Sequence, residues 1–226
     1  MASLIDSLNQ IRINNLAEQL SKQAGDFESA IKSLTEAEAK ILNGVINNEK
    51  GLGGPKGMHG FIAEIAECGV SNARRQILGK SANVVYKGDN GIADLTRDNL
   101  DLQLKFHEDK FSLDAIKDHM IKYPNFLENG KYQIPKDEYE ILIRLYKMPA
   151  SEAGKLSMNA DGCSYRQWKN VHKFFENNDI KIKDIEPSKL DYADVQKETY
   201  KATIDNEKKS INETNDERNS KIYDDN

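Results

Sequence analysis

The sequence predicts an α/β fold of the α+β kind: a small mixed sheet flanked by helices, a helical hairpin in front and a helical extension behind. Three patterns carry this. Leu100, Leu102, Leu104 and Phe106 alternate with Asp101, Gln103 and Lys105, the two-residue period of a half-buried strand. Apolar residues recur at intervals of three and four in residues 1–50, in 61–78 and in several later segments. Clusters of Gly, Pro, Asn and Asp separate these runs.

Residues 1–50 read as two helices. Leu4, Leu8, Ile11, Leu16 and Leu20 mark the first; Gly25 breaks it, Asp26 caps the second, and Phe27, Ile31, Leu34, Ile41 and Val45 mark that second helix. The expected antiparallel hairpin packs on the rest of the chain or on a second copy. The run GLGGPKG at 51–57 reads as a hinge or loop from the turn chemistry of Gly and Pro, and it lacks the Gly-Lys-Ser/Thr ending of a phosphate-binding loop; the alternative is that its glycines let a phosphate backbone approach the start of the next helix. A helix over 61–78 comes next, with Phe61, Ile62, Ile65, Ala66, Val70, Ala73 and Ile77 on its buried face. Residues 83–86 form a strand, 88–91 a turn, and 92–96 a second strand. Arg97-Asp98-Asn99 turns the chain into the alternating strand. Beyond it the pattern gives a helix over 112–122 capped by Ser112, an extended piece at 131–134 and a helix over 137–147. Residues 149–162 read as a second linker. Ser164 caps a helix with Tyr165, Trp168, Val171, Phe174 and Phe175 on one side and Arg166, Lys169, His172 and Lys173 on the other; such aromatics at helical spacing read as a core. The polar segment from Leu190 reads as a long exposed helix that frays at its end, with disorder as the alternative, and it ends without a stop signal, as the front part of a longer protein would. The domains expected are 1–50, 51–148 and 149–226.

Hydrophobic residues make up 38% of the 226 and charged residues 31%, enough for a core in the middle of the chain with polar ends. The formal charge of -5 argues against a general DNA-coating protein, but leaves room for an enzyme with a local basic surface. Residues 1–20 are amphipathic rather than signal-like, and no run has the length of a membrane span. The two cysteines, Cys68 and Cys163, lie far apart and fit free thiols in a reducing cytoplasm, where the chain is expected to reside.

The chemistry concentrates in 92–105. A hairpin there brings Asp94 beside Gln103 and Lys105. A carboxylate for a hard cation, an amide oxygen as a neutral ligand and an ammonium for the attacking water are the parts of a metal-dependent phosphodiesterase. Glu64 and Glu67 lie three apart on the preceding helix, and Glu64 is the favoured additional acid.

Asp94 followed by Gln103-Leu104-Lys105 resembles the core motif of the PD-(D/E)XK nuclease superfamily, in the variant with Gln in place of the second acid. The HGFIAE run at 59–64 looks like the first helix of that fold, although Ala93 stands where the eponymous Pro would be. HGFIAE with the Ala-Asp and Gln-x-Lys strands also looks like a set of uncharacterised bacterial proteins from mobile elements. The resemblance covers residues 57–106, with a looser echo to 139. It implies a restriction-endonuclease-like core and metal-dependent hydrolysis of nucleic acid, DNA favoured, in a mobile-element, defence or toxin setting. Asp94, Gln103, Lys105 and Glu64 would be the catalytic set, with Asp94, Gln103 and Glu64 holding Mg2+ or Mn2+. His59, Arg74, Arg75 and Lys80 are the expected substrate contacts. The alternative is a non-catalytic nuclease-fold module that binds protein or nucleic acid. A homodimer or partner contact is expected through the N-terminal helices or the C-terminal tail.

Overall fold

The computed structural model describes residues 2–48, 54–89, 91–107, 110–158 and 163–226. Helix α1 runs unbroken over Ala2–Ile41 and closes in a π-type turn over Leu42–Ile46. The expected break at Gly25 does not occur, so the front of the chain is one long helix and not a hairpin. A mid-helix glycine costs about 1 kcal/mol relative to alanine. That is small beside the burial of Ala30, Leu34, Ala37, Ile41 and Val45, which come after it at three- and four-residue steps.

Helix α2 spans Gly54–Gln76 and thus begins inside the segment read as a hinge; Gly51, Leu52 and Gly53 of that hinge lie outside the described residues. It packs along α1 so closely that a Cβ on Gly69 would lie 2.5 Å from the Ala37 Cβ. Strands β1 (Val84–Tyr86), β2 (Leu95–Arg97) and β3 (Leu100–Leu104) form an antiparallel meander. The β2–β3 turn is Asp98-Asn99 with φ of 49° and 68°, the doubly left-handed pair of a two-residue hairpin. Asn90, in the expected turn before it, lies outside the described residues.

Helix α3 (Leu113–Lys122) leads to β4 (Gly130–Ile134), which joins β3 in parallel. Ser112 does not cap α3: its backbone is left-handed and its Oγ donates to the Lys105 carbonyl at 2.8 Å. Helices α4 (Lys136–Lys147), α5 (Ala150–Ala153) and α6 (Tyr165–Asn177) come next, and Ser164 caps α6 by accepting from the Gln167 N–H at 3.2 Å. Residues 159–162 of the expected second linker lie outside the described residues. Strand β5 (Ile185–Pro187) pairs in parallel with β4 and completes a mixed sheet in the order β1-β2-β3-β4-β5. Arg97 of β2 reaches Glu186 of β5 with two hydrogen bonds of 2.7 and 2.9 Å. Helix α7 (Tyr200–Asp224) returns along α1.

Both sheet faces are covered. Val84, Leu95, Leu102 and Leu104 pack with α1, α2 and α7, whereas Tyr132, Ile134 and Ile185 pack with Ile116 of α3, Leu142 of α4 and Phe174 of α6. The three consecutive segments expected as domains therefore interlock: the C-terminal region supplies a strand to the sheet and a helix to the first core. Among the described residues no helix is long and apolar enough to cross a membrane.

Candidate functional site

The hairpin register places Leu95 opposite Leu102, and Asp94 enters the pairing one residue earlier through its N–H to the Leu102 carbonyl at 2.9 Å. Asp94 Oδ2 accepts from Gln103 Nε2 at 2.6 Å and from the Leu104 N–H at 2.8 Å. Lys105 leaves β3 with its N–H on the Gln133 carbonyl at 2.8 Å and its own carbonyl held by Ser112. Glu64 approaches from α2. Of the residues expected to act together, the structure thus brings Glu64, Asp94, Gln103 and Lys105 into one electrostatic cluster.

The charges in this cluster are strained by burial and by one another. Burial, reinforced by the Asp94 charge, pushes the Glu64 carboxyl up to about 8, with Lys105 pulling the other way. Burial also raises Asp94, against the Leu104 N–H, Lys105 and the Gln103 amide, all of which favour its ionised form. Lys105 is lowered by burial, while Asp94 and Glu64 favour its charge. Tyr86 is pushed up to about 12, first by burial and then by Glu64 and Asp94. Gln103 is only 7% exposed, and with Nε2 committed to Asp94 its Oε1 is buried and, among the described residues, without a partner. A buried acceptor left unpaired costs about 1–3 kcal/mol.

The cluster does not have the open polar strand face that the alternation suggested, because the second layer covers the Gln103 side of the sheet. His119 of α3 is part of that cover. Its Nε2 lies 3.1 Å from the Ile92 carbonyl and its Nδ1 2.9 Å from the Tyr132 hydroxyl. A carbonyl only accepts, so Nε2 carries the proton and Nδ1 accepts from Tyr132. Burial and the nearby Lys105 lower His119 to about 4, which keeps it neutral. His119 and Tyr132 were missed from sequence, and Ser112 was read only as a helix cap; the available signal was a histidine three residues after Ile116 on the apolar side of its helix.

The expected substrate contacts are not gathered at the cluster. His59 sits beside the strand exit, with Nε2 2.8 Å from the Phe106 carbonyl and its ring against Tyr192. Arg74 is held by Glu207 of α7 through bonds of 2.9 and 2.5 Å, and Arg75 donates to the Ser81 carbonyl at 3.0 Å. Arg74 and Arg75 lie about 15 Å along α2 from Glu64 at the helical rise, and Lys80 is exposed beyond the helix end. Glu67 is a structural acid: 1% exposed, it accepts from Ser71 Oγ at 2.8 Å, Ser188 Oγ at 2.6 Å and the Lys189 N–H at 2.7 Å.

Among the described residues no three His, Cys, Asp or Glu side chains group as a metal cage. The candidate set is two carboxylates and one amide. A groove of about 450 Å³ lies between α3 and α6 and another of about 150 Å³ between α1 and α2; the four clustered side chains line neither. Compared with protein-family models, with curated proteins and with solved structures, the chain matches none.

Proposed function

We propose that the chain hydrolyses nucleic-acid phosphodiester bonds, DNA favoured, with Mg2+ or Mn2+ held by Glu64, Asp94 and Gln103, on a restriction-endonuclease-like core. The observation that carries this is the hydrogen-bonded Asp94–Gln103 pair under the electrostatic influence of Glu64 and Lys105, with the Gln103 Oε1 buried and, among the described residues, without a partner. Natural folds pair their buried acceptors. Three hard oxygen donors, one of them without a partner, fit a small divalent cation that keeps several waters. That ion would supply Lewis-acid stabilisation of the charge developing on the phosphate.

The protein's own side chains do the rest. Glu64, protonated at neutral pH by burial and Asp94, gives up its proton to become a ligand. The Gln103 amide fixes Asp94 through Nε2 and presents Oε1, so the carboxylate is oriented before substrate arrives. Lys105, lowered by burial, takes or shares the proton of the attacking water, and as an ammonium it steadies a phosphate oxygen. His119 holds the Ile92 carbonyl two residues before Asp94 and so anchors the segment that aims the acid.

A second reading has a specific observation in its favour. Asp94 Oδ2 is already satisfied by two donors, which makes it a competent staple for the hairpin without any reaction. The chain would then be a non-catalytic nuclease-fold module for binding protein or nucleic acid. The apolar residues Leu4, Leu8 and Ile11, all more than half exposed on α1, would be a surface for a partner or a second copy. Incubation with single-stranded DNA, duplex DNA and RNA in Mg2+ or Mn2+ separates the two. Metal-dependent cutting that disappears in both Asp94→Ala and Lys105→Ala supports the enzyme; no cutting of any substrate by the wild type supports the module. A cytoplasmic, mobile-element, defence or toxin setting belongs to the same proposal and rests on the motif resemblance.

A further inference from the structure

The α3–α6 groove of about 450 Å³ has the size of a ligand site and takes no part in the cluster above. Its apolar part is the edges of Leu113 and Phe174, 8% and 7% exposed, in an otherwise polar lining. Lys117 on α3 and Lys173 on α6 stand on its two walls, and Gln167, Asn170 and Asn177 line the α6 side at steps of three and seven, one face of that helix. Asp114 is, among the described residues, the single carboxylate in the lining. Among the described residues, no ion pair or side-chain hydrogen bond engages Lys117, Asn170 or Lys173. The groove's first lining residue, Leu113, directly succeeds Ser112, whose Oγ fixes the Lys105 carbonyl.

Two unpaired ammoniums, a row of amides and a small apolar patch match the three parts of a nucleotide strand. Ammonium neutralises phosphate, amides pair with base edges, and an apolar patch receives a base face. A duplex keeps its bases stacked inside and would leave the patch unused, whereas an unpaired strand turns its bases outward. We propose that this groove binds a stretch of single-stranded nucleic acid, with Lys117 and Lys173 on phosphates and Gln167 and Asn170 on base edges. That the strand continues to Lys105 rests on the hydrolytic reading; the binding itself does not.

The test uses the full chain with a short mixed-sequence labelled oligonucleotide and its duplex, read by fluorescence anisotropy at several salt concentrations. Lys117→Ala/Lys173→Ala changes two exposed side chains. It is expected to weaken single-strand binding by roughly tenfold or more and to lower the salt slope by about 1.4, from two phosphates at about 0.7 each. Hydrolysis of bis(4-nitrophenyl) phosphate, too small to reach the groove, is measured alongside and is expected to be the same in wild type and double variant. The proposal is overturned if the wild type does not bind the single strand, if the double variant binds it unchanged, or if duplex binding falls by the same factor. Failure of the wild type to hydrolyse the small diester would overturn the hydrolytic reading alone, since the strand-binding comparison does not depend on it.

Discussion

Replacing Glu64 by Gln isolates the electrostatic strain of the cluster. The Glu64 carboxyl titrates near 4.5 in the unfolded chain and is pushed up to about 8 in the folded one. Between these values the folded protein keeps a proton that the unfolded chain has released. Stability from this group is therefore complete below 4.5 and is lost as pH rises toward 8. The slope is about 1.4 kcal/mol per pH unit in mid-interval and levels off near 8, so the loss between pH 6 and pH 8 is about 2 kcal/mol. Other groups slope the wild-type curve too. His119, lowered to about 4, makes stability rise with pH up to its ordinary value of 6.5. Such groups are common to both proteins and largely cancel in the difference. Glutamine keeps the shape and cannot ionise. Urea unfolding of wild type and Glu64→Gln at pH 6, 7 and 8, monitored by circular dichroism, is expected to show the variant gaining about 2 kcal/mol on the wild type across that range. A difference constant with pH would refute a strained carboxyl at Glu64, and with it the shared electrostatics of the cluster.

The packing sets three further outcomes. Glu67→Ala removes a buried acceptor of three hydrogen bonds and strands the Ser188 hydroxyl and Lys189 N–H. It should cost about 3–4 kcal/mol in urea unfolding, and Glu67→Gln clearly less. Gly69→Ala places a methyl 2.5 Å from the Ala37 Cβ, so α1 and α2 must separate; the expected loss is about 1–3 kcal/mol, read as a lower thermal midpoint. Arg74→Ala breaks a pair whose arginine side chain is 45% exposed, and should cost less than about 1 kcal/mol while leaving oligonucleotide affinity unchanged.

The hairpin that carries Asp94 was readable because its signals are local. Alternation fixes which β3 residues share a face; the turn, expected over Arg97-Asp98-Asn99, is Asp98-Asn99 with Arg97 inside β2, and that turn sets the register of Asp94 against Gln103. The features that escaped the sequence depend on residues far along the chain. Gly25 looks like a helix end in isolation, but α1 is held on both sides of it by helices whose packing outweighs one glycine. Arg74 looks free until Glu207, on α7, closes on it. The three residues of β5 are too few to announce a strand, and their place comes from pairing with β4 and from the Arg97–Glu186 contact. The polar face of β3 was expected to meet solvent, yet α3 lays His119 over it, and one strand pattern cannot reveal a second layer.

The central claim is that Glu64, Asp94 and Gln103 hold one divalent ion beside Lys105. Calorimetric titration of Mn2+ at pH 7, repeated in two buffers of different ionisation enthalpy, tests it most directly. The account expects one ion per chain, release of about one proton that vanishes in Glu64→Gln, and loss of binding in Asp94→Ala. Binding that releases no proton, or that survives Asp94→Ala, would contradict it.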